Sequence, residues 1–242
     1  MPHSVTSVPE LSVVVLCYRA GYYIKDFVAQ LEKELEDDKI DYELILVANY
    51  DSGSTDNTPT IVTQMAENKP RFRVVSKEKK GRMGWDMRSG LESARGRHIA
   101  VIDGDGQMPI SDVVKVYRML QAGNYDLVKT YRAQRHDGYY RTALSSVYNL
   151  LFKVLYMPGY PLHDINSKPK VMTRACYEKF NLVSSDWFTD AEIMIEALNN
   201  KLSIGELSTI FYENERRKTL VGYDTVVEFI YNLFYYRFFK KK

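Results

Sequence analysis

Cysteine is scarce: Cys17 and Cys176 are the two in 242 residues, they lie far apart, and no CxxC occurs. That argues against a disulfide-stapled scaffold and a zinc ribbon, and makes a reducing compartment the expectation. Charge of one sign is lacking too. The 33 Lys and Arg face 31 Asp and Glu, a formal net of +2, so no overall basic field marks a nucleic-acid partner. No apolar run reaches the roughly 18 residues that cross a bilayer. The opening MPHSVTSVPE has neither the basic nor the apolar region of a secretory signal, so a cytoplasmic location is expected. No GxGxxG follows the first apolar run, where Arg19-Ala20-Gly21 stands instead, which removes dinucleotide oxidoreduction.

What is present is an alternation of strand and helix patterns. Leu11–Cys17 is a continuous apolar, β-branched run of the kind buried on both faces of a sheet. Ile24, Phe27, Val28, Leu31 and Leu35 follow at helical spacing. Further strands are expected at Tyr42–Val47, Arg71–Ser76, His98–Ile102 and Asp126–Tyr131, with helices from Ser54–Asp56, over Gly84–Arg95 and over Ser111–Gln121. Such a rhythm implies right-handed crossovers and a mostly parallel sheet in an α/β domain. Beyond Arg132 it breaks. A polar loop to Arg141 and an apolar helix over Thr142–Tyr156 precede a Pro/Gly-punctuated loop over Met157–Lys170. Helices near Arg174–Phe180 and Asp190–Asn200, then a strand around Leu202–Tyr212, complete one domain over residues 1–224. Residues 225–242 form an aromatic helix ending in Lys240–Lys242. That composition suits a membrane interface, and equally a helix packed on the domain with a solvated tail.

Ile102-Asp103-Gly104-Asp105-Gly106-Gln107 is the most informative string. It follows a buried strand, at the carboxyl edge where open α/β sheets bind ligands. Side chains two apart converge, so Asp103 and Asp105, with Gln107 as a third oxygen ligand, suit Mg²⁺ or Mn²⁺ shared with a diphosphate. Gly104 and Gly106 are expected to let a bulky ligand approach the backbone. The same string also fits a polar loop in which Asp105 or Ser111 caps the next helix. A second acidic loop, Asn49 to Asp56, offers Asp51 to a base or ribose, with Thr55 and Asp56 as helix caps. A third, Lys77–Gly84, brings positive charge towards a diphosphate, or is a solvated basic face.

These segments, in this order and spacing, resemble family 2 glycosyltransferases of the GT-A fold. DGDGQMP resembles the D-x-D-x-Q-x-P loop of polyprenyl-phosphate sugar transferases, and the resemblance extends over about residues 11–215. It implies a nucleotide-sugar donor (GDP or UDP), with Asp103, Asp105 and Gln107 on metal and diphosphate and Asp51 on the nucleoside. It implies a polyprenyl-phosphate acceptor whose phosphate is bound by an R-x(n)-R-x-x-x-S pattern, matched by Arg141 and Ser145, with Arg132 or Arg135 as the first arginine. Arginines and a helix N-terminus are suited to a second phosphate. Asp164 and Lys168 match positions that line the donor sugar or brace the loop, and Asp190 matches an acidic helix start near the acceptor. Departures are Asn49-Tyr50-Asp51 in place of a tandem Asp-Asp, Tyr18-Arg19-Ala20 after the first strand, and a loose Arg216-Arg217-Lys218-Thr219. Alternatives are transfer to a saccharide hydroxyl with Asp190 as base, a non-catalytic nucleotide-sugar binding module, and a haloacid-dehalogenase-type phosphatase. The last is disfavoured because three strand–helix units precede Asp103. A lipid acceptor further implies a membrane surface or a membrane-anchoring partner, and a peripheral position on the cytoplasmic face.

Overall fold

A computed structural model describes residues 8–136, 139–158, 161–213 and 223–240, and leaves out the side chains of Tyr140, Arg141, Tyr223, Asp224 and Val226. Seven strands alternate with eight helices: β1 (Leu11–Leu16), α1 (Tyr23–Asp37), β2 (Tyr42–Val47), α2 (Thr58–Ala66), β3 (Phe72–Val75), α3 (Met83–Ser93), β4 (His98–Asp103), α4 (Asp112–Gly123), β5 (Leu127–Arg135), α5 (Tyr139–Tyr156), β6 (Lys170–Thr173), α6 (Arg174–Tyr177), α7 (Thr189–Asn199), β7 (Ile204–Phe211) and α8 (Tyr223–Phe238). They build one sheet in the order β3-β2-β1-β4-β6-β5-β7. All neighbours are parallel except β6, which is antiparallel to both β4 and β5.

Alternation within the strands sorts the core into two layers. Val14, Leu16, Ile45 and Val47 pack with residues of α3, α5, α7 and α8, among them Met87, Phe152, Phe188 and Leu233. Val13, Val15, Leu44 and Leu46 pack instead under α1, α2 and α4. The five apolar positions expected on the first helix are all buried. Cys17 and Cys176 are free and buried, and burial pushes both thiols up, Cys176 to about 12.

Several boundaries differ from expectation. The helix expected from Ser54–Asp56 starts at Thr58, because Asp56 turns its carboxylate onto the Thr58 N–H (3.1 Å) and Pro59 suits a first turn. β5 runs on through Arg135, so Arg132 and Arg135 stand on a strand, with a register shift between Arg132 and Gln134, and not in a polar loop. β6 was not anticipated: four residues starting with a lysine carry no readable period. α8 begins at Tyr223, ahead of the expected 225. Its inner side is packed, with Leu233 fully buried and Tyr236 Oη donating to Glu192 (2.9 Å). Its outer side exposes Val227, Tyr231, Phe234 and Phe238, and its inner side is the packed helix of the second expectation. Among the described residues no helix is long and apolar enough to cross a membrane.

One glycine sets how closely a helix lies on the sheet. A Cβ at Gly90 of α3 would come within 2.3 Å of Val14 Cγ1 and 2.8 Å of Val47 Cγ2. Gly90→Val is expected to cost about 1–3 kcal/mol through overpacking, read as a lower urea midpoint with an unchanged slope.

Candidate active site

The carboxyl ends of β1, β2 and β4 lie side by side, and the crevice between β1 and β4 is the switch point at which such sheets bind ligands. Asp103 ends β4 and its side chain is about one-third exposed. The Gly104 N–H donates to the Leu16 carbonyl (2.9 Å), pinning the acidic loop to β1. Asp105 Oδ1 accepts the Gln107 N–H (3.1 Å), so this carboxylate caps its own turn. Ser111 takes the N-cap of α4 without a side-chain bond to it, so neither residue acts as the cap considered from the sequence. Gln107 Nε2 donates to the Tyr212 carbonyl (3.0 Å), which orients the amide, and the Tyr212 N–H donates back to the Gln107 carbonyl.

Gly106 has φ +74°, and a Cβ there would meet Tyr23 Oη at 2.2 Å; at Gly104 it would meet Ile24 Cδ1 at 2.8 Å. The protein's own neighbours thus give both glycines a packing reason, beside the ligand approach expected from the sequence.

In the loop after β2, Asp51 accepts from Tyr18 Oη (2.5 Å) and Arg19 Nη2 (3.1 Å) and remains partly exposed. Asn49, one of the departures noted above, is fully buried; it donates to Asp86 (2.9 Å) and accepts the Lys77 N–H (2.9 Å). Asp86 pairs with Lys79, which also lies 3.9 Å from the centre of the Tyr18 ring. Lys79 is therefore turned inward, neither solvated nor offered to a diphosphate. Burial pushes the Asp86 carboxyl above its ordinary value, against the pull of Lys79 and Asn49.

The loop before β6 links this edge to α7. Lys168 Nζ lies 3.1 Å from Asp103 Oδ2 and 2.9 Å from Asp190 Oδ2, while Lys170 Nζ is 2.5 Å from Asp190 Oδ1. Burial opposes charge at Lys168, but Asp103 and Asp190 outweigh it and hold the ammonium above its ordinary value. For Lys170 burial wins, bringing it down to about 8. Burial would raise Asp190, but the two lysines hold it below the usual carboxylate range.

Three of the residues expected at the acceptor phosphate, Arg132, Arg135 and Ser145, converge with Asp164, which was expected to line the donor sugar or brace the loop. Arg132, Arg135, Ser145 and Asp164 line one cleft of about 290 Å³ with Asn149 and His163. The Arg132 guanidinium forks onto Asp164, with Nη2 to Oδ1 at 2.5 Å and Nε to Oδ2. Burial would raise Asp164, and Arg132 and Lys129 reverse this, holding it well below the usual range. The Arg135 guanidinium stands 5.6 Å from the Phe211 ring centre. Arg141 falls in the first turn of α5, and its side chain lies outside the described residues, as does the whole of Arg216–Thr219. Lys129 was not singled out from the sequence. It is fully buried and pairs with Glu206 (2.5 Å), which also accepts from His163 Nδ1 (2.8 Å). A lysine directly after Leu127 and Val128 in the expected strand Asp126–Tyr131 was the available signal.

The donor set suits a hard divalent cation: Asp103, Asp105 and the Gln107 amide supply oxygens from one five-residue turn. Among the described residues no group of three or more His, Cys, Asp or Glu could hold a metal ion.

Residues 12–187 match the model of glycosyl transferase family 2, and the chain belongs to that family. It is 28% identical over 231 residues to human dolichyl-phosphate beta-glucosyltransferase, covering 86% of this chain and 69% of that protein. It is 24% identical over 233 residues to dodecaprenyl-phosphate galacturonate synthase of Rhizobium johnstonii, covering 96% and 68%. Matches to two further bacterial relatives span 41% of their length. In fold it is similar to glucosyl-3-phosphoglycerate synthase of Mycobacterium tuberculosis, solved with Mn²⁺, UDP and phosphoglyceric acid: TM-score 0.70 and 18% identity, over 95% of this chain and 78% of that one. The fold is the α/β GT-A fold.

The Arg132–Asp164 pair predicts a pH signature. Asp164 has a depressed folded pKa, so its contribution is complete above the ordinary value of 3.8 and is lost as pH falls towards the folded value. Asp164→Asn is expected to cost about 3 kcal/mol at pH 7, with the gap to wild type narrowing below pH 3.8 in urea unfolding.

Proposed function

We propose that the chain is a metal-dependent, inverting glycosyltransferase that moves a hexose from a GDP- or UDP-sugar to a polyprenyl phosphate. The observation that carries this reading is the placing of a D-x-D-x-Q loop at the β1/β4 switch point, in a chain that also gathers Arg132, Arg135 and Ser145 around one cleft. The polyprenyl-phosphate names of two relatives support the acceptor.

In this mechanism Asp51 takes the nucleoside, while Asp103, Asp105 and Gln107 would hold Mg²⁺ or Mn²⁺ for the donor diphosphate. When bound, the cation supplies Lewis-acid stabilisation of the leaving diphosphate, worth several kcal/mol. Arg135, Arg141 and Ser145 bind and orient the acceptor phosphate. One of its oxygens attacks the sugar C1 from the face opposite the diphosphate; the new C1–O bond forms as the old one breaks, and the nucleoside diphosphate departs. A phosphate monoester is already ionised near neutral pH, its second pKa being about 6, so the step needs positioning and no base.

Asp190 bears on the alternative. A hydroxyl acceptor requires a carboxylate able to take a proton. Asp190 is 2% exposed, holds two lysines and has its proton affinity lowered, which is the opposite of a poised base. The phosphate acceptor is therefore favoured. Its use places the enzyme at a membrane, peripheral on the cytoplasmic face, by its own surface or through an anchoring partner. The outer faces of α5 (Val147, Leu150, Val154) and α8 (Val227, Phe234, Phe238) are exposed and apolar, which suits that placement.

The test is transfer from a panel of GDP- and UDP-sugars to a short polyprenyl phosphate with Mg²⁺ or Mn²⁺. Metal-dependent sugar on the lipid is expected; donor turnover confined to hydroxyl acceptors would overturn the reading. Asp105→Ala is expected to lower transfer by about 100-fold or more, the equivalent of roughly 3 kcal/mol, with an unchanged melting temperature. Arg135→Ala and Arg141→Ala are expected to raise the acceptor KM while leaving donor affinity near wild type.

A further inference from the structure

Lys168 is a cation built into the acidic loop's own surroundings. Its side chain is 5% exposed and its ammonium bridges Asp103 Oδ2 at 3.1 Å and Asp190 Oδ2 at 2.9 Å. It is held there from behind. Thr130 Oγ1 donates to the Lys168 carbonyl (2.7 Å), Lys170 Nζ donates to the Ser167 carbonyl (2.8 Å), and Lys170 takes the second oxygen of Asp190. Asp190 is thus saturated, and Lys168 cannot swing away without leaving a buried carboxylate half-paired, which is costly.

The consequence is electrostatic. A hard cation is drawn to the summed charge of its carboxylates, and an ammonium about 3 Å from one of them offsets that carboxylate's charge. The acidic loop then presents a bare divalent ion with one effectively compensated carboxylate, Asp105 and a neutral amide. A nucleoside diphosphate brings the missing negative oxygens. We propose that Lys168 is a positioning residue that makes divalent-metal binding conditional on the donor diphosphate: it holds Asp103 ready while keeping the loop a poor site for metal alone. The inference rests on the assignment of Asp103, Asp105 and Gln107 to metal and diphosphate made above. It also gives Asp190 a task, which is to hold Lys168 on Asp103.

The experiment is titration of Mn²⁺ into the full chain, followed by calorimetry and by the EPR signal of free Mn²⁺, without and with UDP or GDP. For the wild type, the diphosphate is expected to tighten Mn²⁺ binding by about tenfold or more, within the usual range for coupled sites. Lys168→Met is expected to bind bare Mn²⁺ about tenfold more tightly than wild type, with a correspondingly smaller gain from the diphosphate, while transfer falls. Lys168→Arg keeps the charge and is expected to leave bare Mn²⁺ affinity near wild type. A merely structural lysine predicts the opposite sign, since loosening the loop weakens metal binding.

Bare Mn²⁺ affinity that is unchanged or weaker in a folded Lys168→Met would overturn the proposal. So would a wild type that binds Mn²⁺ equally well with and without the diphosphate, a result that needs no variant and leaves the metal assignment standing. Absence of Mn²⁺ binding under both conditions would remove the metal assignment, and the role of Lys168 with it.

Discussion

A carboxylate buried as deeply as Asp190 cannot stay ionised unless its charge is met nearby, since the penalty for an unpaired buried ion is several kcal/mol. Two lysines meet it, Lys168 from the loop before β6 and Lys170 from the first position of β6. That requirement organises the middle of the sheet. Lys170 is the first residue of β6, the strand that runs against its neighbours, and its place between β4 and β5 brings the ammonium under α7. Lys168, two residues earlier, is then left at the end of β4, where Asp103 stands. The strand that breaks the parallel pattern is thus the one that delivers the charges.

The same loop carries a second buried network at its other end. Lys129 Nζ donates to the Asp164 carbonyl, and the Asp164 carboxylate takes both the backbone N–H and the guanidinium of Arg132. Asp164 borders the cleft and Lys168 touches the acidic loop, with three residues between them. Each end is held by paired buried charges, so the segment is a short rigid strut between the proposed donor and acceptor sides. Arg132 is largely spent on this strut. Arg135 lies past the register shift in β5 and beside Phe211.

How much of this was legible beforehand follows from the range of the interactions involved. β1, β2 and α1 could be read because burial imposes a period on neighbouring residues, and the acidic loop because its carboxylates, glycines and amide are contiguous. Asn49, Lys79 and Asp86 could not be read as a unit: they make a buried cluster across 37 residues of chain, and nothing local distinguishes an inward lysine from a solvated one. Lys168, Lys170 and Asp190 pose the same problem. The match of Asp190 to an acidic helix start suggested a cap or a base, and only its two partners from another element show a structural counter-charge. Gly104 and Gly106 read as room for a ligand at the backbone; that Ile24 and Tyr23 also lie where a Cβ would stand depends on a distant segment of the chain and was not legible.

The closing helix shows why composition alone left two readings of that segment standing. An amphipathic helix satisfies both of its faces at once, and α8 is anchored on one by polar contacts that a free tail would not make. Asn232 Nδ2 donates to Asp186 (2.8 Å), Tyr236 Oη and Lys240 Nζ both reach Glu192, and Glu228 accepts the Trp187 N–H. Asp186, Trp187 and Glu192 flank Asp190 around the start of α7, so the orientation of α8 is tied to the element that fixes Lys168. α5, which lines the cleft with Ser145, packs beside α8 through the Tyr148–Phe229 ring contact. The exposed apolar side chains of these two helices are therefore held in a set relation to the cleft.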